Sequence, residues 1–248
     1  MLFDLFDTLV DLPMSALPRL PIGGREVPTT AGAVHAALAR HATVSFEELT
    51  AALADADRAL RAEFWGRDRE LPTPLRFAHV LARLGVPDPG GALADELTRA
   101  HMGLLIGIAR TPPHHAGILD RLRGRARLAL ASNWSWTPAA LAILDAGGLR
   151  ARLDALAISH DVGLRKPRAE LFAAALDALG VAAGEAIHVG DNLEADVAGA
   201  AALGLRTVWV TRCIADPDVA RARAPGVRPD WIVRDLAELE TIVASDQL

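Results

Sequence analysis

The chain has 248 residues, of which 51% are hydrophobic and 23% charged, an ordinary globular composition that suffices for a core domain with a smaller partner. Its net charge of -5 argues against a nucleic-acid or anionic-membrane partner. A small anionic substrate stays compatible with this charge, because a few local lysines or arginines can bind one inside an acidic protein.

Cys213 is the chain's one cysteine, so no internal disulfide can form, which fits a reducing cytoplasm. The first residues show no basic segment followed by an apolar one, and no apolar run is long enough to cross a bilayer. We therefore expect a cytoplasmic protein without a signal peptide or a membrane span.

The chain opens with a short apolar strand that runs into Asp4. So few residues precede Asp4 that we expect either a trimmed first strand or a start further upstream. Residues 13–30 hold four prolines and two adjacent glycines and are predicted to form a loop. Residues 31–110 follow with a helical pattern, in which Ser45 is predicted to cap a helix and no strand is expected.

Beyond residue 112, short apolar runs alternate with helical stretches, a pattern typical of βαβ units and a parallel sheet. The predicted strands are 128–131, 155–158, 186–189, 207–210 and 231–233. The predicted helices between them include 139–146, 169–179 and 195–202. We predict an α/β protein whose Rossmann-like, doubly wound parallel sheet is formed by residues 1–13 and 111–248. A small helical cap domain, residues 14–110, is inserted after the first strand.

Open parallel sheets place their active sites at the carboxyl ends of the strands, so the polar residues that follow each predicted strand are the candidates for chemistry. In chain order these residues are Asp4, Thr8, Ser132, Asn133, Lys166, Asp191 and Asp196. Carboxylates hold a hard cation such as Mg²⁺, while a lysine and a hydroxyl group hold phosphate oxygens.

The segments that carry these residues resemble the haloacid dehalogenase (HAD) superfamily, most of whose members are phosphatases. They are FDLFDTLV at 3–10, LASN at 130–133, GLRKP at 163–167 and HVGDN at 188–192 with Asp196 after it. Residues 229–239 are similar to the family's last strand and helix. The resemblance covers residues 1–12 and about 112–243, and four motifs in order with compatible spacing make it specific.

The resemblance implies a magnesium-dependent phosphatase of a small phosphorylated metabolite, in which Asp4 is the nucleophile and forms an aspartyl-phosphate that water hydrolyses. The residues expected to orient and neutralise the transferring phosphoryl group are Thr8, Ser132, Asn133 and Lys166. The expected Mg²⁺ ligands are Asp4, Asp191, the backbone carbonyl of Phe6, and Asp196 either as a ligand or as a support for the ligands.

Phe6 departs from the family pattern, because a second aspartate usually stands there, protonates the leaving oxygen and then activates water. Such acid–base help is worth about 10²–10⁴ in rate, and Phe6 has no proton to offer. Three explanations stay open: Asp7 or a cap residue supplies the proton, the substrate has a good leaving group such as an acyl, enol or anomeric phosphate, or activity is low or lost. The first two together are favoured, because the other motifs are intact.

Three further residues are candidates for substrate contact, with packing or a solvated helix end as the alternative: Trp134, Trp65 and Arg67. The eight histidines show no metal-ligand spacing and are interpreted as surface or core positions.

Two other functions stay open beside the phosphatase. A dehalogenase-type hydrolase displaces halide from carbon with an aspartate and without metal. An aromatic residue often stands at the Phe6 position in that branch, although Asp191 is generally replaced there. A binding or regulatory protein would keep the fold and have lost turnover.

Overall fold

The computed structural model describes residues 1–244, so the end of the predicted core, 245–248, lies outside the described residues. Contacts divide the chain into two compact units, Met1–Asp11 with Arg110–Leu248, and Leu12–Ala109. The predicted boundaries, after residues 13 and 110, differ from this division by two positions and one position. Whether the second unit acts as a cap for the first stays a prediction.

Eight strands and eleven α-helices occur among residues 1–244. The strands are β1 (Leu2–Phe3), β2 (Arg19–Ile22), β3 (Arg25–Pro28), β4 (Ala129–Ser132), β5 (Ala155–Ile158), β6 (Ile187–Gly190), β7 (Arg206–Val210) and β8 (Trp231–Val233). The helices are α1 (Ala31–Leu38), α2 (Phe46–Arg61), α3 (Thr73–Arg83), α4 (Ala92–Ile108), α5 (His115–Arg123), α6 (Thr137–Ala146), α7 (Ser159–Val162), α8 (Ala169–Leu179), α9 (Gly199–Ala202), α10 (Pro217–Arg223) and α11 (Leu239–Ala244).

The sheet of the first unit has the order β5-β4-β1-β6-β7-β8, with every neighbouring pair parallel. Without the two hairpin strands of the other unit, this is the order 3-2-1-4-5-6 of a doubly wound, Rossmann-like sheet. The predicted fold class is therefore confirmed. Its central strands are buried along their whole length, because helices cover both faces of a parallel sheet.

The five predicted strands of the second half are confirmed, with ends that shift by at most one residue. The predicted helix 169–179 is α8, and α6 begins two residues earlier than predicted, with a proline in its first turn. The predicted helix 195–202 begins instead as a π-helix, Leu193–Ala198, that continues into α9. Asn192 starts it by accepting hydrogen bonds from the backbone N–H groups of Glu194 and Ala195.

The second unit contains α1 to α4 and a small antiparallel hairpin, β2–β3. Ser45 caps α2 as predicted, and a reciprocal capping box with Glu48 reinforces it. The prediction of a loop over residues 13–30 was wrong for the hairpin. Its turn is Gly23-Gly24, both with positive φ, which is the turn chemistry that a two-residue hairpin requires.

None of the helices in the described part of the chain combines the length and the apolar character that a membrane span requires.

Candidate active site

The strand order reverses at β1, which pairs in parallel with β4 on one side and β6 on the other. Asp4 directly follows β1, Ser132 ends β4, and Asp191 directly follows β6. Ligands of doubly wound sheets bind in the crevice at such a reversal, outside the carboxyl ends of the strands. Three of the predicted residues therefore come together where this fold places its chemistry.

Lys166 is the buried cation at this edge of the sheet, with a side chain only 2% exposed. Its Nζ donates to Asp4 Oδ1 and to Asp196 Oδ1, each at 2.6 Å. Asn133 fixes the lysine backbone, because its Nδ2 donates to the Lys166 carbonyl at 3.0 Å and its Oδ1 accepts from the Lys166 N–H at 2.7 Å. Asn133, predicted to contact the phosphoryl group, thus also positions Lys166.

Asp196 accepts hydrogen bonds from three donors. Lys166 Nζ and His188 Nε2 (2.9 Å) reach Oδ1, and the backbone N–H of Asn192 reaches Oδ2 at 3.0 Å. Burial opposes ionisation, but the Lys166 charge and the His188 hydrogen bond hold the pKa of Asp196 well below its usual range. These contacts favour the second predicted role of Asp196, support for its neighbours, over direct metal binding.

Asp4, Asp191 and Asp196 each place one carboxylate oxygen within 4.8 Å of the others. Burial raises the pKa of Asp4 to about 6 although Lys166 opposes it, and burial with the charges of Asp4, Asp196 and Asp7 raises the pKa of Asp191 to about 8. One lysine cannot neutralise three carboxylates. The surplus negative charge and the oxygen-only donors of this lysine cluster (Asp4, Lys166, Asp191 and Asp196) fit a divalent cation such as Mg²⁺.

Two hydroxyl groups suit a bound phosphoryl group. Thr8 and Ser132 are fully buried, and neither Oγ atom has a hydrogen-bond partner among the described residues. A buried hydroxyl without a partner costs about 1–3 kcal/mol, so an oxygen acceptor held nearby would recover that free energy.

An aromatic pair stands where an acid/base was expected. The rings of Phe6 and Trp134 pack with their centroids 4.3 Å apart. The Trp134 indole N–H is buried and has no acceptor within residues 1–244, which leaves it available to a ligand. The predicted metal contact of the Phe6 carbonyl stays a prediction.

Asp7 belongs to a different group of side chains. Its φ of +56° is in the left-handed region, which aspartate tolerates better than most residues with a side chain. One carboxylate oxygen of Asp7, one of Asp11 and the Sγ of Cys213 all lie within 4.8 Å of one another. Arg212 donates two hydrogen bonds to the Asp11 carboxylate. We call Asp7, Asp11, Arg212 and Cys213 the arginine cluster.

Three contributors to the site were missed from the sequence. His188 and Gly190 lie on one face of β6, and a Cβ on Gly190 would lie 2.3 Å from Asp196 Cγ, so only glycine admits the carboxylate. Trp209 Nε1 donates to the Asp191 carbonyl at 2.7 Å and lines a cleft of about 320 Å³ beside it. The two-residue periodicity of β6 was the available signal, since it places position 188 beside the glycine.

Trp65 and Arg67 lie in the second unit, in a short 3₁₀ turn, Trp65–Arg67. The Arg61 guanidinium stands 5.3 Å over the Trp65 ring, which gives this tryptophan a local packing partner. Substrate contact by Trp65 and Arg67 stays a prediction.

Comparisons with known proteins agree with this geometry. A profile of the HAD-hydrolase-like family matches residues 163–239. The chain is 37% identical over 125 residues to a ribulose-1,5-bisphosphate 5-phosphatase of Halopiger xanaduensis, covering 50% of this chain and 51% of that protein. It is 31% identical over 136 residues to the pyrimidine 5'-nucleotidase YjjG of Escherichia coli, covering 54% and 57%. The chain thus spans little more than half the length of these curated relatives.

Solved structures share the fold over nearly the whole chain. A 2-haloacid dehalogenase from Pseudomonas syringae pv. Tomato superposes with a TM-score of 0.73 at 22% identity, covering 98% of this chain and 97% of the other. A HAD phosphatase from Thermococcus onnurineus gives a TM-score of 0.61 at 21% identity, covering 100% and 98%. The strand order, the four motifs and these matches agree: the chain shares the fold of HAD-like proteins, and its residues 163–239 are similar to the HAD-hydrolase-like family.

Proposed function

We propose that the protein is a Mg²⁺-dependent phosphatase that hydrolyses a small organic phosphate monoester through an aspartyl-phosphate on Asp4. The observation that carries the proposal is the contact of Lys166 Nζ with Asp4 Oδ1 beside two further carboxylates, those of Asp191 and Asp196. A lysine that touches the nucleophile can also bind the oxygens of the group that the nucleophile attacks.

The chemistry proceeds in two displacements. Asp4 attacks phosphorus with the carboxylate oxygen that Lys166 does not hold, the bond from phosphorus to the leaving oxygen breaks, and the leaving group departs as an oxyanion that takes its proton from water. Water then attacks the aspartyl-phosphate, releases inorganic phosphate and restores Asp4. Lys166 with the hydroxyls of Thr8 and Ser132 donates hydrogen bonds to the phosphoryl oxygens in both steps.

Asp4 and Asp191 are the side chains that would hold Mg²⁺, with the Phe6 carbonyl as the third protein ligand expected from the sequence. When bound, the ion neutralises charge on the phosphoryl oxygens. Asp196 holds Lys166 and the backbone of Asn192 in place.

The proposed substrate class follows from the lack of a proton donor at position 6. Phe6 packs against Trp134 and cannot donate a proton, while the Asp7 carboxylate lies in the arginine cluster. We therefore favour a substrate whose leaving group departs with little protonation over proton donation by Asp7. The relatives support a small metabolite, since they include a phosphoserine phosphatase of Thermus thermophilus, 48% identical over 69 residues and covering 28% of each chain.

A phosphate-release panel tests the proposal. Wild type and Asp4→Asn are assayed with and without Mg²⁺ on an aryl phosphate and on sugar, nucleotide and acyl phosphates. We expect Mg²⁺-dependent release that Asp4→Asn reduces by at least about 10³-fold, because the variant lacks the nucleophile. Asp11→Asn, a change in the arginine cluster, serves as the matched control and should retain activity.

Release of no phosphate from any substrate would overturn the proposal. The Phe6–Trp134 pair favours one second candidate, metal-independent displacement of halide by Asp4, because aromatic ring edges and the indole N–H of Trp134, unpaired within residues 1–244, can stabilise a departing halide ion. Halide release from a 2-haloacid without metal would support that candidate. Asp191 argues against it, since a halide displacement has no use for a further carboxylate beside the nucleophile. If neither phosphate nor halide were released and a ligand raised the Tm of the protein, the result would indicate a binding protein.

A further inference from the structure

A second group of ligating side chains lies in the first unit and shares no residue with the lysine cluster. One ring nitrogen of His114, one of His115 and one carboxylate oxygen of Asp235 all lie within 4.8 Å of one another. The chain separation between His114 and Asp235 is 121 positions, so spacing in the sequence gives no sign that they meet.

His115 has an unused nitrogen. Its side chain is fully buried, and its Nδ1 lies 2.8 Å from the Leu9 carbonyl oxygen. Because a carbonyl oxygen only accepts, Nδ1 carries the hydrogen and the neutral ring keeps its lone pair on Nε2. That Nε2 is buried without a hydrogen-bond partner within residues 1–244. Metal-binding histidines are commonly arranged in this way, with the other ring N–H donated to a backbone carbonyl.

His114 and Asp235 complete the group from the solvent side. His114 Nε2 lies 2.9 Å and 3.1 Å from the two carboxylate oxygens of Asp235, and its side chain is 50% exposed, which gives an ion a path of entry. Asp235 Oδ1 also accepts from the Ala237 N–H as a helix cap. A carboxylate has about four lone-pair sites, so capping leaves room for a metal ion.

Arg212 is a cation close to this group, with Nε 4.0 Å from Asp235 Oδ2. Its charge is already matched by Asp11, which accepts two hydrogen bonds from the guanidinium. Asp235 is therefore not required to neutralise Arg212.

We propose that His114, His115 and Asp235 form a binding site for a divalent transition-metal ion, with Zn²⁺ as the best match. Two imidazoles and a carboxylate suit Zn²⁺, whereas Mg²⁺ prefers oxygen ligands, so the two sites of the core select different ions. Three protein ligands leave one tetrahedral position for water. His115 donates to the carbonyl of Leu9, which directly follows Thr8. A bound ion would therefore stabilise the loop that carries the first motif.

Zn²⁺ titration of the full chain, with Mg²⁺ in excess to occupy the lysine cluster, tests the site. We expect one Zn²⁺ per chain by calorimetry and a rise in Tm of about 5–10 °C at a hundredfold excess over Kd. His114→Ala and Asp235→Asn should each weaken binding at least about tenfold. The His114 side chain is 50% exposed, and asparagine keeps the oxygen with which Asp235 caps Ala237, so both variants avoid the folding defect that replacement of the buried His115 could cause.

His41→Ala is the matched control. His41 Nε2 lies 3.0 Å from Glu96 Oε2, and its side chain is 43% exposed, so it reproduces the His114–Asp235 pair. Within residues 1–244 no third His, Cys, Asp or Glu completes a metal-binding group with this pair. Zn²⁺ affinity should be unchanged in this variant. Absence of stoichiometric binding, unchanged affinity in His114→Ala, or an equal loss in His41→Ala would each overturn the proposal.

Discussion

Asp4 and Asp7 lie three positions apart in one loop, yet they belong to clusters with different cations and different burial. The lysine cluster is the less exposed of the two: the side chains of Lys166 and Asp196 are each 2% exposed, whereas those of Arg212 and Asp11 are 19% and 31% exposed. Burial raises the pKa of Asp4. Burial has the same tendency at Asp11, but the Arg212 hydrogen bonds hold its pKa below the ordinary value. The pKa of a carboxyl group in this loop thus follows from its surroundings rather than from its place in the motif.

Replacing each cluster's cation should separate the two most strongly. Lys166→Met should lower the free energy of unfolding by about 3–5 kcal/mol, because two buried carboxylates lose their counter-charge. Arg212→Met, the matched change in the more exposed cluster, should cost about 1 kcal/mol. Urea unfolding at pH 7 without metal measures both. Equal costs would remove the distinction between the clusters.

Restoring a carboxyl group at position 6 should change which substrates react. In Phe6→Asp we expect the rate on alkyl phosphates to rise about 10²-fold relative to aryl phosphates, because only the poor leaving group needs a proton. The measurement is kcat/KM against the pKa of the leaving group, whose slope should flatten. Phe6→Asn controls for loss of the ring, and a slope that is the same in all three proteins would contradict the leaving-group proposal.

The pH dependence of stability should also distinguish the clusters. The pKa of Asp191 is raised from 3.8 to about 8, so the folded state binds its proton more tightly than the unfolded state does. The resulting stabilisation is complete below pH 3.8 and is lost as the pH rises through about 8. Asp191→Asn cannot ionise and should therefore gain about 4 kcal/mol over wild type between pH 5 and pH 9 without metal, at about 1.4 kcal/mol for each pH unit up to pH 8.

Urea unfolding across that pH range, with a chelator present, gives the difference. Asp11→Asn should instead be less stable than wild type by an amount that does not change over this range, since the lowered pKa of Asp11 leaves it ionised throughout. If the difference in the free energy of unfolding between Asp191→Asn and wild type did not change with pH, the pKa of Asp191 would not be raised by its surroundings.

The smallest effect is expected at Asp7. Asp7→Asn should change kcat/KM by less than about threefold on aryl and alkyl phosphates alike, because asparagine accepts the left-handed backbone and the Asp7 carboxylate lies with Asp11 and Cys213. Steady-state kinetics on one substrate of each type checks this. A loss confined to the alkyl phosphate would identify Asp7 as the proton donor.

The fold was largely readable from the sequence, because buried parallel strands leave short apolar runs and the helices between them leave periodic ones. The β2–β3 hairpin escaped prediction because Pro21 and Pro28 lie within its strands and prolines indicate a loop. The turn Gly23-Gly24 was the better guide there.

The sequence predicted which residues meet at this edge of the sheet, but it did not predict which of them contact each other. Position after a strand placed Asp4, Ser132 and Asp191 at one edge, as the topology of parallel sheets requires. No local pattern could show that the Asn133 amide clamps the peptide groups of Lys166, since 33 positions separate the two. The direction of the Asp7 carboxylate was equally hidden, because it depends on a backbone φ that aspartate adopts only in some surroundings.

Gly190 is the position of this site at which substitution is least tolerated. The charged residues of the lysine cluster can be exchanged singly, and each exchange removes one part of the chemistry. A methyl group at position 190 would instead meet Asp196 Cγ at 2.3 Å and push that carboxylate from its partners. Gly190→Ala would therefore break the hydrogen bonds of Asp196 to Lys166 and His188 together, without removing a charge. Evolution of this site is thus constrained most tightly at a residue that has no side chain.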